Sequence, residues 1–88
     1  MESLMDKLVF KCEAIAKANQ DTFRYAIKLN VNEHTGHYTY NVEVTEPADG
    51  HIFVSGHGLT LRSAVADAIV NIKEACADWH YINPKETH

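Results

Sequence analysis

Long apolar runs are missing from this 88-residue chain. No stretch approaches the roughly 20 apolar residues a membrane-spanning helix needs. No transmembrane segment and no membrane partner are therefore expected. Basic charge is also scarce: eight Lys and Arg stand against twelve Asp and Glu, a net charge of −4. A protein held to nucleic acid mainly through phosphates needs a basic surplus, so the balance argues against a nucleic-acid partner. Cysteine is limited to Cys12 and Cys76. Both fall on apolar faces of predicted helices, as reduced core thiols of a cytosolic protein do. A disulfide tying the two helices is the alternative, decided by a Cα spacing that sequence does not supply.

Catalytic signatures are missing as well. There is no Gly-x-Ser-x-Gly elbow and no phosphate-binding loop with its lysine. No pair of acids stands on an apolar background as an acid–base couple. Ser55 and Ser63 lie near His57 in sequence, but strand alternation and a turn separate their directions. A chain of this length buries only about 60% of its unfolded surface and has little room for a deep pocket. A non-enzymatic protein without a cofactor is expected. The start of the chain, MESLMDKLVFKCEA, mixes charge with apolar residues, unlike a secretory leader. The expected location is the cytoplasm.

What is present is a sequence of clear periods, with 45% hydrophobic residues and no repeats or low-complexity tracts. Leu4, Leu8, Cys12 and Ile15 recur at helical spacing, and Ser3 suits the N-cap. The period then drops to two. Phe23, Tyr25, Ile27, Leu29 and Val31 alternate with polar residues, as in a half-buried strand. Glu33–Gly36 reads as a four-residue hairpin loop. Tyr38, Tyr40, Val42 and Val44 alternate in a second strand. Glu46–Gly50 makes a second turn, and His51–Gly56 a third, shorter strand. Thr60 caps a long helix with its stripe on Leu61, Val65, Ala68, Ile69, Ile72, Cys76 and Trp79.

The order α-β-β-β-α with short hairpin loops predicts an α+β fold. It is a two-layer sandwich, with a three-stranded antiparallel meander and both helices on one sheet face. A single domain is expected over residues 1–82, with a flexible tail at 83–88. Matching apolar faces sets Val31 beside Tyr38, Ile27 beside Val42, Val42 beside Val54 and Val44 beside Ile52. The open face then carries Arg24, Lys28, His37, Thr39, Phe53 and His57. Both outer strands offer free backbone groups for sheet extension.

The stretch SGHGLTLRSAVADAI carries a resemblance. Gly56 and Gly58 one residue apart, the hydroxyl of Thr60, and the spaced Ala64 and Ala68 are similar to the third-strand-to-helix signature of the double-stranded RNA-binding domain. Tyr40, Val42 and Val44 look like that family's alternating strand. The resemblance implies the α-β-β-β-α fold and a helix that lies close to the sheet. It also implies a duplex-binding surface at the helix start, where the family's lysines sit over phosphates. Here those positions read Leu61, Arg62 and Val65. Arg62, with Arg24 and Lys28, is the only candidate set for such contacts, against the six to ten or so phosphate contacts of a strongly charge-driven binder.

Leu61 and Val65 beside Arg62 instead suggest a protein-binding patch, with Phe53 as an aromatic anchor on the open face. The leading expectation is a small non-catalytic interaction module that docks on a protein, or on itself as a homodimer. One variant is an accessory or inhibitor protein of a phage or mobile element, covering a basic surface by charge complementarity. The alternatives are a degenerate double-stranded RNA-binding domain and a histidine metal site. In the expected register His34, His37 and His57 gather at one sheet end, and three imidazoles can hold Zn²⁺. The competing reading of these histidines is a set of solvated polar residues.

Overall fold

The computed structural model describes residues 3–20 and 22–84. Helix α1 spans Leu4–Ala18, strands β1, β2 and β3 span Ala26–His34, His37–Thr45 and Ile52–Gly58, and helix α2 spans Leu61–Asp78. The tail expected at 83–88 lies, from residue 85 onward, outside the described residues.

Both helices begin where their sequences supply a cap. Ser3 Oγ accepts from the Asp6 N–H at 3.1 Å, and the Asp6 carboxylate accepts from the Ser3 N–H at 3.3 Å. Thr60 and Ser63 form the same reciprocal box at the start of α2. Each box satisfies backbone donors that a first helical turn leaves unpaired.

The three strands form one antiparallel sheet in the order β1-β2-β3, the meander that the short turns dictate. The faces follow the alternation, but the register differs from the expected one by two residues. Val31 pairs with Tyr40 and Ile27 with Val44. Across the second hairpin Val42 pairs with Gly56, and Val44 with Val54. In the second hairpin Thr45 pairs with Ile52, and the bulge beside that pair adds the other residue. In the first hairpin the cause is the turn, which holds two residues rather than four. His34 pairs with His37, and Thr35 and Gly36 both take positive φ, 50° and 79°. That backbone matches the twist of the strands better than an open loop does. The strands therefore run on to His34 and begin again at His37.

A second departure decides the fate of Phe53. A bulge lies where Val44 pairs with Val54 but Thr45 pairs with Ile52. Phe53 is the extra residue, and the bulge breaks the alternation there. Strict alternation puts Phe53 on the open face. In the structure it is 8% exposed and packs with Val54 in the core. Its ring meets Phe23 edge-on at 4.9 Å and Tyr81 at 5.8 Å between centroids.

One core joins all the elements: Leu8, Cys12 and Ile15 of α1, Ala64, Ala68 and Ile72 of α2, and Val42 and Val44 of β2. Both helices thus cover the same sheet face, α2 lying on β3 and β2 while α1 leans against α2. The two glycines before α2 serve this packing. Neither has positive φ, and both lie within β3, so they do not turn the chain. A Cβ on Gly56 would collide with the Ala64 carbonyl oxygen and the Ala68 backbone nitrogen. Glycine in the strand and alanine in the helix let the two backbones touch.

The cysteines are free and buried in this core. Burial, with smaller effects from Glu13 and Cys76, pushes the Cys12 thiol from 9.0 up to about 12. Burial also raises Cys76. The native state thus holds protons that the unfolded chain releases near pH 9. This contribution to stability is complete below pH 9 and is lost as pH rises toward 12. The urea midpoint is expected to fall with pH above 9, and Cys12→Ala to flatten that slope. An unchanged slope in the variant would exclude Cys12 as the source.

Candidate protein-binding surface

The start of α2 presents apolar side chains to solvent. The Thr60–Ser63 box fixes the entry of the chain, and Leu59, just before it, is 75% exposed. Leu61 is 40% exposed, and Arg62 beside it is exposed. Val65, one turn on, is only 2% exposed and belongs to the core. Of the patch expected from sequence, Leu61 and Arg62 stand at the surface, while Val65 and Phe53 have no side-chain surface to offer a partner.

A second apolar surface lies on the β1–β2 hairpin. Strand β3 pairs with β2 from Tyr40 onward, so the tip half of the hairpin is a two-stranded arm beyond the three-stranded sheet. Every residue from 28 to 39 is exposed. Leu29, Val31 and Tyr38 share the face that carries the buried Val42 and Val44, yet each is about half exposed. Their pairing is set by cross-strand register: Val31 lies directly opposite Tyr40 and diagonal to Tyr38. The alternation assigns these residues to the core, and it is right about the face. It misses that the helices do not extend over the tip. The readable signal is the mismatch between a long first hairpin and a short third strand.

The candidate cations do not converge. Arg62 is in the first turn of α2, whereas Arg24 lines a hollow with Trp79 and Tyr81 at the far end of that helix. Eighteen residues of helix separate these ends, about 27 Å. Lys28 lies on the open sheet face opposite Glu43. The three residues form no stripe that a phosphate backbone could follow.

The histidines are also spread. His34 and His37 face each other at the hairpin tip, but His57 lies opposite Asn41, not Thr39. The shifted register moves His57 along β2 from His37 by about 14 Å at strand rise. Among the described residues no group of three His, Cys, Asp or Glu side chains is placed to hold a metal ion. On this register His34, His37 and His57 are not brought together.

The hollow at the far end of α2 holds about 190 Å³ and is walled by Phe23, Phe53, Trp79 and Tyr81, with Arg24, Glu46, Asp49 and His51 at its rim. Two of the rim groups are engaged with each other: His51 Nδ1 lies 3.1 Å from the Asp49 carboxylate. His51 also rests 5.9 Å from the Trp79 ring.

Comparison with models of known families, with curated proteins and with solved structures finds no match to this chain. Of the resemblance to double-stranded RNA-binding domains, the structure bears out the α-β-β-β-α order of the elements. No helix among the described residues is long and apolar enough to cross a membrane.

Proposed function

We propose that this protein is a small non-catalytic interaction module that docks on another protein through the apolar face of the β1–β2 arm and the start of α2. The observation that carries this reading is the half-exposed strip of Leu29, Val31 and Tyr38 on the core side of the sheet. A solvated strand tip does not need large apolar side chains there, and the hairpin arm gains stability if a partner covers them. Leu59 and Leu61 add apolar surface at the start of α2. The acidic balance favours a partner with a basic rim, the accessory or inhibitor mode among them. The buried free thiols suit a reducing, cytoplasmic setting.

The test uses a photo-crosslinking amino acid in the full chain, expressed in its source cells. Placed at Tyr38, it is expected to capture a discrete protein. Placed at Val70 on α2, which is more open to solvent than Tyr38, it is expected to capture none. Equal capture from both positions would overturn the docking surface.

A degenerate double-stranded RNA-binding domain is the second reading, favoured by the Gly56–Ala64–Ala68 contact. It predicts a duplex-dependent gel shift at low salt that weakens steeply as salt rises. The dispersed Arg24, Lys28 and Arg62 weigh against it, and no shift at tens of micromolar protein would remove it.

A further inference from the structure

The two edges of the sheet are treated differently. On β3 the outward backbone groups are taken by α2. The His57 N–H donates to the Asp67 carboxylate at 3.0 Å, and the Asn71 side-chain amide donates to the Ser55 carbonyl at 3.0 Å. Asp67 and Asn71 are one helical turn apart, so they pin successive outward positions of the strand. The other edge has no such cover. Among the described residues no hydrogen bond reaches the outer side of β1, and β2 is the only element at backbone distance from it.

The two-residue turn tells which groups of β1 point outward. A pair that closes such a turn exchanges both backbone hydrogen bonds, so His34 and His37 are bonded across it. Every second pair inward is bonded likewise, which leaves Ile27, Leu29, Val31 and Glu33 with N–H and C=O directed away from β2. The same parity carried across β2 directs Ser55 and His57 outward on β3, in agreement with their bonds to α2.

We infer that β1 pairs antiparallel with β1 of a second copy, about a two-fold axis at Asn30, to make a continuous six-stranded sheet. The inference rests on the reading of the protein as an interaction module but concerns its edge rather than its apolar face. Three observations select the second copy and this register. Asn30 is the midpoint of Ala26–His34, so the axis there pairs the whole strand with itself. Leu29 then faces Val31, Lys28 faces Asn32, and Ile27 faces Glu33. No two like charges meet, and the one residue that meets itself is an asparagine, whose amide both donates and accepts. A two-residue shift shortens the overlap, and in one sense it sets Lys28 beside His34. The strand also lacks the usual protections of an edge: it has no proline, no bulge toward β2 and a single lysine.

The axis gives a register-specific test. Asn30 would face its counterpart in a non-hydrogen-bonded pair, with Cβ atoms about 5 Å apart, close to disulfide reach. Under mild oxidation N30C is expected to cross-link to a dimer of twice the mass. K28C and N32C singly should stay monomeric, and the K28C/N32C double variant should cross-link. The native thiols, being buried, do not compete. Val31→Pro removes one outward N–H and leaves the β1–β2 ladder intact. It is expected to halve the mass seen by light scattering, with an unchanged circular dichroism spectrum. A wild-type protein that stays monomeric at 1 mM or so would overturn the pairing, as would cross-linking at all three single sites alike. If the Tyr38 probe still captures another protein in that case, self-pairing alone has failed and the docking surface stands.

Discussion

Gly56→Ala is expected to prevent the protein from reaching its native fold. The added methyl would meet the Ala64 carbonyl oxygen and the Ala68 nitrogen and Cα, all backbone atoms of α2. No rotamer change relieves that contact. The helix must lift off β3, which opens the core at Ala64, Val65 and Ala68 and pulls Asp67 and Asn71 from the strand edge. An 88-residue domain has a total stability of roughly 5–10 kcal/mol, and overpacking alone costs about 1–3 kcal/mol before core contacts are lost. Far-ultraviolet circular dichroism and urea titration would check this, with loss of a cooperative transition as the expected result. Gly58→Ala is expected to do harm of the same kind, because its added methyl would meet the Ala64 backbone nitrogen at 2.7 Å as well as the Ser63 side chain, whose hydroxyl is held in the capping box. A Gly56→Ala protein as stable as the wild type would mean that α2 does not touch β3 as described.

Phe53→Ala carries the second large effect. The ring is 8% exposed and packs against both Phe23 and Tyr81, so its removal leaves a void next to two aromatic neighbours. A loss of about 3–5 kcal/mol is expected from urea denaturation, enough to leave little of the fold at 37 °C. Leu59→Ser, by contrast, alters a side chain that is 75% exposed and should stay within about 0.5 kcal/mol of wild type. The pair separates the two roles that a sequence pattern confuses. If Phe53→Ala left stability unchanged, the bulge that turns the ring inward would be wrong, and Phe53 would return to the open face as a candidate anchor.

The element order, both caps, the meander and the choice of sheet face were legible from residue spacing. Period two places Leu29 and Val42 on one face whatever their partners, because a slip by two residues preserves the alternation. For the same reason the alternation could not detect the slip itself. The register depended on whether Glu33 and His34 were loop or strand, and Thr35 has no strong preference for the positive φ it adopts. The bulge at Val44–Thr45 was not legible either. It depends on how the turn at Glu46–Gly50 closes, where the Glu46 N–H donates to the His51 carbonyl at 2.8 Å. At the candidate surface, Leu61 and Arg62 were readable because a helix start after a capping threonine is exposed on most of its sides. The arm was not, because alternation reports which side a residue faces, while exposure depends on how far the helices reach.

The clasp of Asp67 and Asn71 on β3 also governs how far any stacking of these sheets can go. A sheet with two bare borders can add molecules at both ends and grow into a filament. Here one border is occupied by the molecule's own helix, so each chain can be joined once and growth ends at a closed pair. Removing both clasping side chains would turn that stop into a second docking margin, and the protein would then be at risk of forming fibres.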